Sequence, residues 1–188
     1  MTEEASKKVD LSSYDNSWYS PGGTSSKRIV WFIVNALFLI NPLNPSSGIK
    51  VWLLRLFGAR IGKGVVIKPG VNIKYPWLLQ IGDYVWIGEN VWIDNLTWVK
   101  IEDHVSISQG AMLLTGSHDY KKTTFDLQVG NITLEQGAWI GAKATICPGV
   151  TCGSHSVLAV GSVATRNLEP YTIYQGNPAI AKRARQII

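Results

Sequence analysis

"IGDYVWIGENVWI", residues 81–93, decides how this chain folds. Ile81, Ile87 and Ile93 stand six apart, Val85 and Val91 follow the isoleucines by four, and Gly82 and Gly88 follow them directly. An α-helix repeats its apolar positions about every 3.6 residues and a one-sided strand about every two, so neither explains six. A period of six with β-branched residues and turn glycines describes one short strand and one corner per repeat. Three such units close a triangular coil, and stacked coils bury one continuous core.

The period extends in both directions. It reaches back to Ile61, Ile67 and Ile73, runs forward to Ile101, Ile107 and Leu113, and resumes at Leu134, Ile140, Ile146, Cys152 and Leu158. Small or β-branched residues sit four places on at Val65, Val71, Val105, Ala111, Ala138, Ala144 and Val150. Ile61, Ile81 and Ile101 are 20 apart where three hexapeptides occupy 18, so two extra residues sit at one corner per coil, in "KYPWLLQ" and "NLTWVK". Between Leu113 and Leu134 the gap is 21 instead of six, an insertion of fifteen residues that "LLTGSHDY" opens, with His118 at its root. The chain thus reads as an all-β protein, a parallel β-helix over 61–166 with an inserted loop at 114–133. A polar tail and an apolar helical segment precede it in 1–60, and a short C-terminal extension follows in 167–188.

Composition narrows the classes. With 188 residues, 46% hydrophobic, 16% charged and 18 glycines, the chain is globular and not disordered. A net charge of +5 suits anionic partners such as phosphorylated cofactors or lipid headgroups. The basic residues gather in no single tract and carry no nucleic-acid-binding signature, so no nucleic acid partner is expected. Cys147 and Cys152 form no disulfide framework and lack metal-ligand spacing, which fits a reducing cytosol and predicts no metal. "MTEEASKKVDLSSYDNS" is polar throughout, so no secretory signal opens the chain and a cytoplasmic location is expected.

"IVWFIVNALFLI", residues 29–40, is apolar except for Asn35. As a helix it spans about 18 Å, short of the roughly 30 Å hydrocarbon core of a bilayer. "NPLNPSSG" stops it, and "IKVWLLRLFGARIG" begins a second apolar stretch carrying Lys50, Arg55 and Arg60. Two readings stay open: a helical pair packed on the main domain, or an interfacial anchor with basic residues near lipid phosphates. The second makes residues 29–60 a peripheral membrane contact at the inner face; neither crosses the membrane.

"IGDYVWIGENVWI" together with "WIGAKATICPGVTCGSHSVLAVGSVATRNLEPYTIYQGNPA" resembles the hexapeptide-repeat acyltransferases. That resemblance implies a left-handed β-helix, a hand that opposes the usual crossover rule and is not readable from spacing. "SQGAMLLTGSHDY" followed by "TFDL" is similar to the colanic acid biosynthesis acetyltransferase branch, relatives of the maltose and galactoside O-acetyltransferases. The likeness covers about residues 50–183.

The resemblance implies acetyl transfer from acetyl-CoA to a sugar hydroxyl or a carrier-linked glycan, in a homotrimer with sites between subunits. His118 matches the catalytic histidine; a neutral imidazole suits removal of a hydroxyl proton at cytosolic pH. Asp119 either orients that imidazole or caps the turn. Ala142, in "WIGAKA", matches the backbone N–H that meets the oxyanion. Val160, Thr165 and Arg166 match the path of the pantetheine arm, and Arg183 a phosphate contact, or else a solvated basic tail. Ile180 stands where relatives often carry a second arginine. Gly88 and Leu96 fall where galactoside-type enzymes hold sugar contacts, which argues against a simple galactoside acceptor. Trp86, Trp92 and Trp98 either stack on sugar rings or cover apolar coil faces or subunit contacts. His104 and His155 fall at coil corners and receive no role. Two other classes remain: a serine or nucleotide-sugar N-acetyltransferase, and a non-catalytic β-helix scaffold.

Overall fold

Each hexapeptide becomes one strand of two or three residues in the computed structural model, which describes residues 7–188; the first six residues of the polar tail lie outside it. The strands stack into three parallel faces of a β-solenoid of about six turns. Face one holds Arg60–Ile61, Leu79–Ile81, Val99–Ile101, Ile132–Leu134 and Thr151–Cys152. Face two holds Val66–Ile67, Trp86–Ile87, Ser106–Ile107, Trp139–Ile140, Val157–Leu158 and Thr172–Gln175, and ends on an antiparallel strand, Ile180–Ala184. Face three holds Asn72–Ile73, Trp92–Asp94, Met112–Leu114, Thr145–Ile146 and Val163–Ala164.

Register follows the period. Ile67, Ile87, Ile107, Ile140 and Leu158 pair in sequence along face two, and Ile73, Ile93, Leu113 and Ile146 along face three. All nine are fully buried, as are the valines and alanines four places on that close the corners, from Val71 to Ala144. At the corner between faces one and two, Gly64, Tyr84, His104, Gly137, His155 and Tyr171 all take positive φ. A Cβ on Gly137 would lie 2.6 Å from the His155 ring, so glycine is required there by space as well as by φ. The side chains at this corner form stacks: Tyr84 lies 5.4 Å from His104 and His155 lies 4.8 Å from Tyr171, ring to ring and nearly parallel. His104 and His155 therefore hold corners together.

The lower end of the solenoid has no coil beneath it, and its backbone groups need other partners. Two helices supply them: α1, Ser25–Val34, extended by a wider turn at Asn35–Leu39, and α2, Ser47–Leu56. Trp31 Nε1 donates to the Ile73 carbonyl (2.9 Å) and Asn35 Nδ2 to Asn72 Oδ1 (2.8 Å). Lys50 Nζ donates to the Ile67 carbonyl (3.2 Å), and the Ser47 hydroxyl bridges the carbonyl and N–H of that same residue. Arg55 Nη2 donates to the carbonyls of Ile61 and Gly62, both at 2.8 Å. Lys50 and Arg55 thus both reach the first coil, Arg55 from an exposed position; Lys50 is buried, and burial holds its ammonium below the usual lysine range. Thr24 and Ser46 cap the two helices by accepting from Lys27 and Ile49 N–H. Among the described residues no helix is long and apolar enough to cross a membrane.

Upstream of α1 the chain runs as a strap along the corner between faces three and one. Asp10 N–H donates to the Thr123 carbonyl (2.8 Å), Tyr19 hydroxyl to the Leu96 carbonyl (2.7 Å), and Trp77 Nε1 to the Pro21 carbonyl (2.6 Å).

Ile87 is fully buried at mid-solenoid, so Ile87→Asp places an unpaired carboxylate in the core at a cost of several kcal/mol. The variant is expected to be insoluble or unfolded, as read by the soluble fraction and melting temperature.

Candidate active site

The insertion is itself regular. Gly116–His118 pairs antiparallel with Leu127–Val129, His118 opposite Leu127, so the fifteen extra residues form a β-hairpin on the corner between faces three and one. His118 ends the outgoing strand. Its Nδ1 lies 2.9 Å from the Phe125 carbonyl, and its ring stacks on the Phe125 ring at 4.5 Å with 10° between planes. Tyr14 of the strap also meets the His118 ring, tilted at 58° with centroids 5.8 Å apart. A carbonyl can only accept, so in the neutral ring Nδ1 carries the proton and Nε2 holds the free lone pair.

Asp119 takes the turn-capping place. Its Oδ1 accepts from Lys121 N–H (3.1 Å) and its carbonyl from Lys122 N–H, and no hydrogen bond joins it to His118. The orienting oxygen is a backbone carbonyl from the far side of the loop, which no side-chain pattern announces. Thr124 and Lys122 tie Asp126 down, keeping that loop short and closed.

A second concavity lies at the corner between faces two and three. It is a groove of about 600 Å³ whose walls include Trp139, Ala142, Val160, Arg183 and Arg185. The Ala142 carbonyl accepts from Gly161 N–H (2.9 Å), while its own N–H makes no hydrogen bond among the described residues. Trp139 is held by Nε1 donating to Ser108 Oγ (3.0 Å) and walls the groove. Arg183 reaches the groove from the terminal strand, opposite Ile173. Arg185, absent from the sequence reading, anchors that strand by donating to the carbonyls of Gly137 and His155.

The remaining candidates divide by corner. Thr165 and Arg166 follow Val163–Ala164 and so lie on His118's corner, away from Ala142 and Val160. Trp86, Trp92 and Trp98 belong to faces two, three and one respectively, or to the corner entering the last, so they do not form one platform. Lys68 Nζ sits 5.0 Å over the Trp86 ring, and Trp92 lines a cavity of about 430 Å³ between face three and α1, with Arg28, Phe32, Lys74 and Tyr75. Trp18 of the strap lines an open groove of about 750 Å³ with Ser117, Gln128 and Pro148. The aromatic cluster "YDNSWY" at 14–19, set in an otherwise polar tail, was the signal for it.

Neither cysteine offers a thiolate. Burial pushes the Cys152 thiol up to about 12 and raises that of Cys147. No group of three His, Cys, Asp or Glu that could hold a metal occurs among the described residues.

The three-faced hexapeptide solenoid is the fold of the hexapeptide-repeat acetyltransferases. No protein-family model matches the chain. Among curated proteins it is 36% identical over 176 residues to "Putative colanic acid biosynthesis acetyltransferase WcaF" of Escherichia coli, covering 94% of this chain and 97% of that one. It is 30% identical over 134 residues to the galactoside O-acetyltransferase of the same organism, covering 67% of this chain and 64% of the other. Among solved structures, a hexapeptide-repeat acetyltransferase of Vibrio cholerae complexed with acetyl coenzyme A superposes with a TM-score of 0.76 at 26% identity, over 86% of this chain and 88% of that one. The chain belongs to the hexapeptide-repeat acetyltransferase family.

His118→Ala removes the imidazole from the end of an exposed hairpin and leaves the core untouched. Turnover on an accepted substrate is expected to fall about 10²–10⁴-fold, with an unchanged circular dichroism spectrum.

Proposed function

We propose that the protein transfers acetyl from acetyl-CoA to a sugar hydroxyl in exopolysaccharide or surface-glycan biosynthesis, with His118 as general base. The observation that carries this is the pinned imidazole: Nδ1 engaged with the Phe125 carbonyl leaves Nε2 free to accept a proton. The acceptor hydroxyl gives its proton to Nε2 as its oxygen attacks the thioester carbonyl. The C–S bond then breaks, and the coenzyme A thiolate leaves and takes up the proton from the imidazolium. The Ala142 amide suits the oxyanion that forms in between, being unpaired beside a groove. Arg183 suits a phosphate at the end of that groove. Direct transfer between two substrates held together needs no acyl-enzyme, because proximity supplies much of the rate. The names of the relatives support this reading, one being a galactoside O-acetyltransferase and the other a "Putative colanic acid biosynthesis acetyltransferase".

In this reading the active unit is a homotrimer. His118 and Ala142 follow strands of adjacent faces and lie on different corners of one prism, with face three between them. A C₃ ring brings the hairpin corner of one chain against the groove corner of the next, and Thr165 and Arg166 accompany the hairpin. Residues 29–60 then bring the enzyme to the cytoplasmic face of the membrane, where a carrier-linked glycan would be presented.

Two measurements test the reading. Thiol release from acetyl-CoA, run against a panel of sugars, amino sugars and serine, should depend on a sugar hydroxyl; release with serine alone would overturn it. Light scattering should give about three times the 20.7 kDa chain mass, and deletion of residues 121–130 should reduce activity more than it reduces stability. A fully active monomer is incompatible with a shared site.

A further inference from the structure

The two helices that close the lower end are apolar on both sides but buried on one. Trp31, Leu39, Leu53 and Leu54 face the first coil and are buried. On the outer side Ile29, Phe32, Ile33 and Leu37 of α1 and its extension stand exposed, as do Trp52 and Leu56 of α2. Phe32 is 73% accessible, Trp52 61%, and Leu43 in the turn between the helices 87%. Apolar surface of this extent on one end of a small protein marks a docking surface and not ordinary scatter.

The charge around this surface identifies what docks. Between Asp15 and Asp83 the chain has eight Lys and Arg residues and no acidic residue, although the whole chain carries 13 acidic residues. Lys27, Arg28, Arg55 and Arg60 make no ion pair among the described residues. A second copy presenting the same face would set like charge against like charge. An anionic bilayer offers both what the apolar residues and what the basic rim require.

We propose that the outer face of residues 25–60 rests on an anionic lipid surface, burying Phe32, Ile33, Leu37, Trp52 and Leu56 among acyl chains while Arg28 and Arg60 meet lipid phosphates. This rests on the function proposed above and deepens it by naming the charge of the lipid surface and the residues that would meet it. It differs from the basic contact expected from sequence in one respect: Lys50 and Arg55 are committed to first-coil carbonyls, so the lipid-facing charge lies with Arg28 and Arg60. The cavity beside Trp92 shares Phe32 and Ile40 with this face, so it opens at the membrane-proximal edge of the solenoid.

The test is sedimentation of the whole chain with vesicles of phosphatidylcholine alone or of equimolar phosphatidylcholine and phosphatidylglycerol, without acetyl-CoA or acceptor, so that it stands apart from the catalytic reading. The chain should partition onto the anionic vesicles at least about tenfold better than onto neutral ones, and less at raised salt. The triple variant Ile33→Ser/Leu37→Ser/Trp52→Ser should lose at least about tenfold of that partitioning with oligomer mass and melting temperature unchanged. Arg28→Gln/Arg60→Gln, which leaves the apolar face intact, should lose the preference for phosphatidylglycerol and supplies the test if the triple variant does not fold. No binding to either vesicle, binding indifferent to phosphatidylglycerol, or a fall in oligomer mass in the triple variant would overturn the proposal, the last by showing that another chain covers the face.

Discussion

Every backbone hydrogen bond of a solenoid face runs to the coil above or below, so each coil is complete only when it has two neighbours. The interior coils meet this condition by repetition; the first and last cannot. At the lower end the requirement is met by side chains, those of Trp31, Ser47, Lys50 and Arg55, which reach the backbone of the first coil. At the upper end it is met by chain reversal, the antiparallel strand Ile180–Ala184 with Arg185 fastened to two corner carbonyls. A charged edge strand also discourages further pairing. The polar tips that serve the lower end sit on helices whose remaining surface is apolar. Closing the solenoid therefore creates the exposed face that the closure itself does not cover.

The site arises where repetition is interrupted. A hexapeptide core has no room for polar catalysis, because its inward positions are almost all aliphatic and buried. Chemistry must sit at corners, where the backbone leaves the ladder and some amides are unpaired. Ala142 is such an amide, and Gly141 beside it lets the next coil pack closely, since a Cβ there would lie 2.6 Å from Val160 N. His118 stands on a rigid mount outside the prism: paired strands, a loop closed by Asp126, and a carbonyl against the ring. The strap from Asp10 to Pro21 then packs Tyr14 against that ring and draws the N-terminal region into the same corner.

Much of this was legible in the chain. The six-residue period predicts the strands, their inward residues and the corner that carries the insertion, because burial in a narrow triangular core permits one large aliphatic residue per side and leaves no alternative register. The apolar character of 29–40 and its length exclude a membrane span for the same elementary reason of geometry. What the period could not convey is direction. In the sequence Lys50 and Arg55 are simply basic residues of an apolar stretch, open to lipid phosphates; in the structure both bond first-coil carbonyls, which exist only once that coil is built. Asp119 sits beside the histidine in sequence, yet the imidazole is held by Phe125, seven residues on, because a hairpin returns its far strand to the near one. The three tryptophans that cluster in sequence disperse over three faces, since residues six apart point outward from different sides of a prism. Periodicity is a local property and determined the fold; partner choice depends on which segments return to one corner, and only the tertiary structure decided that.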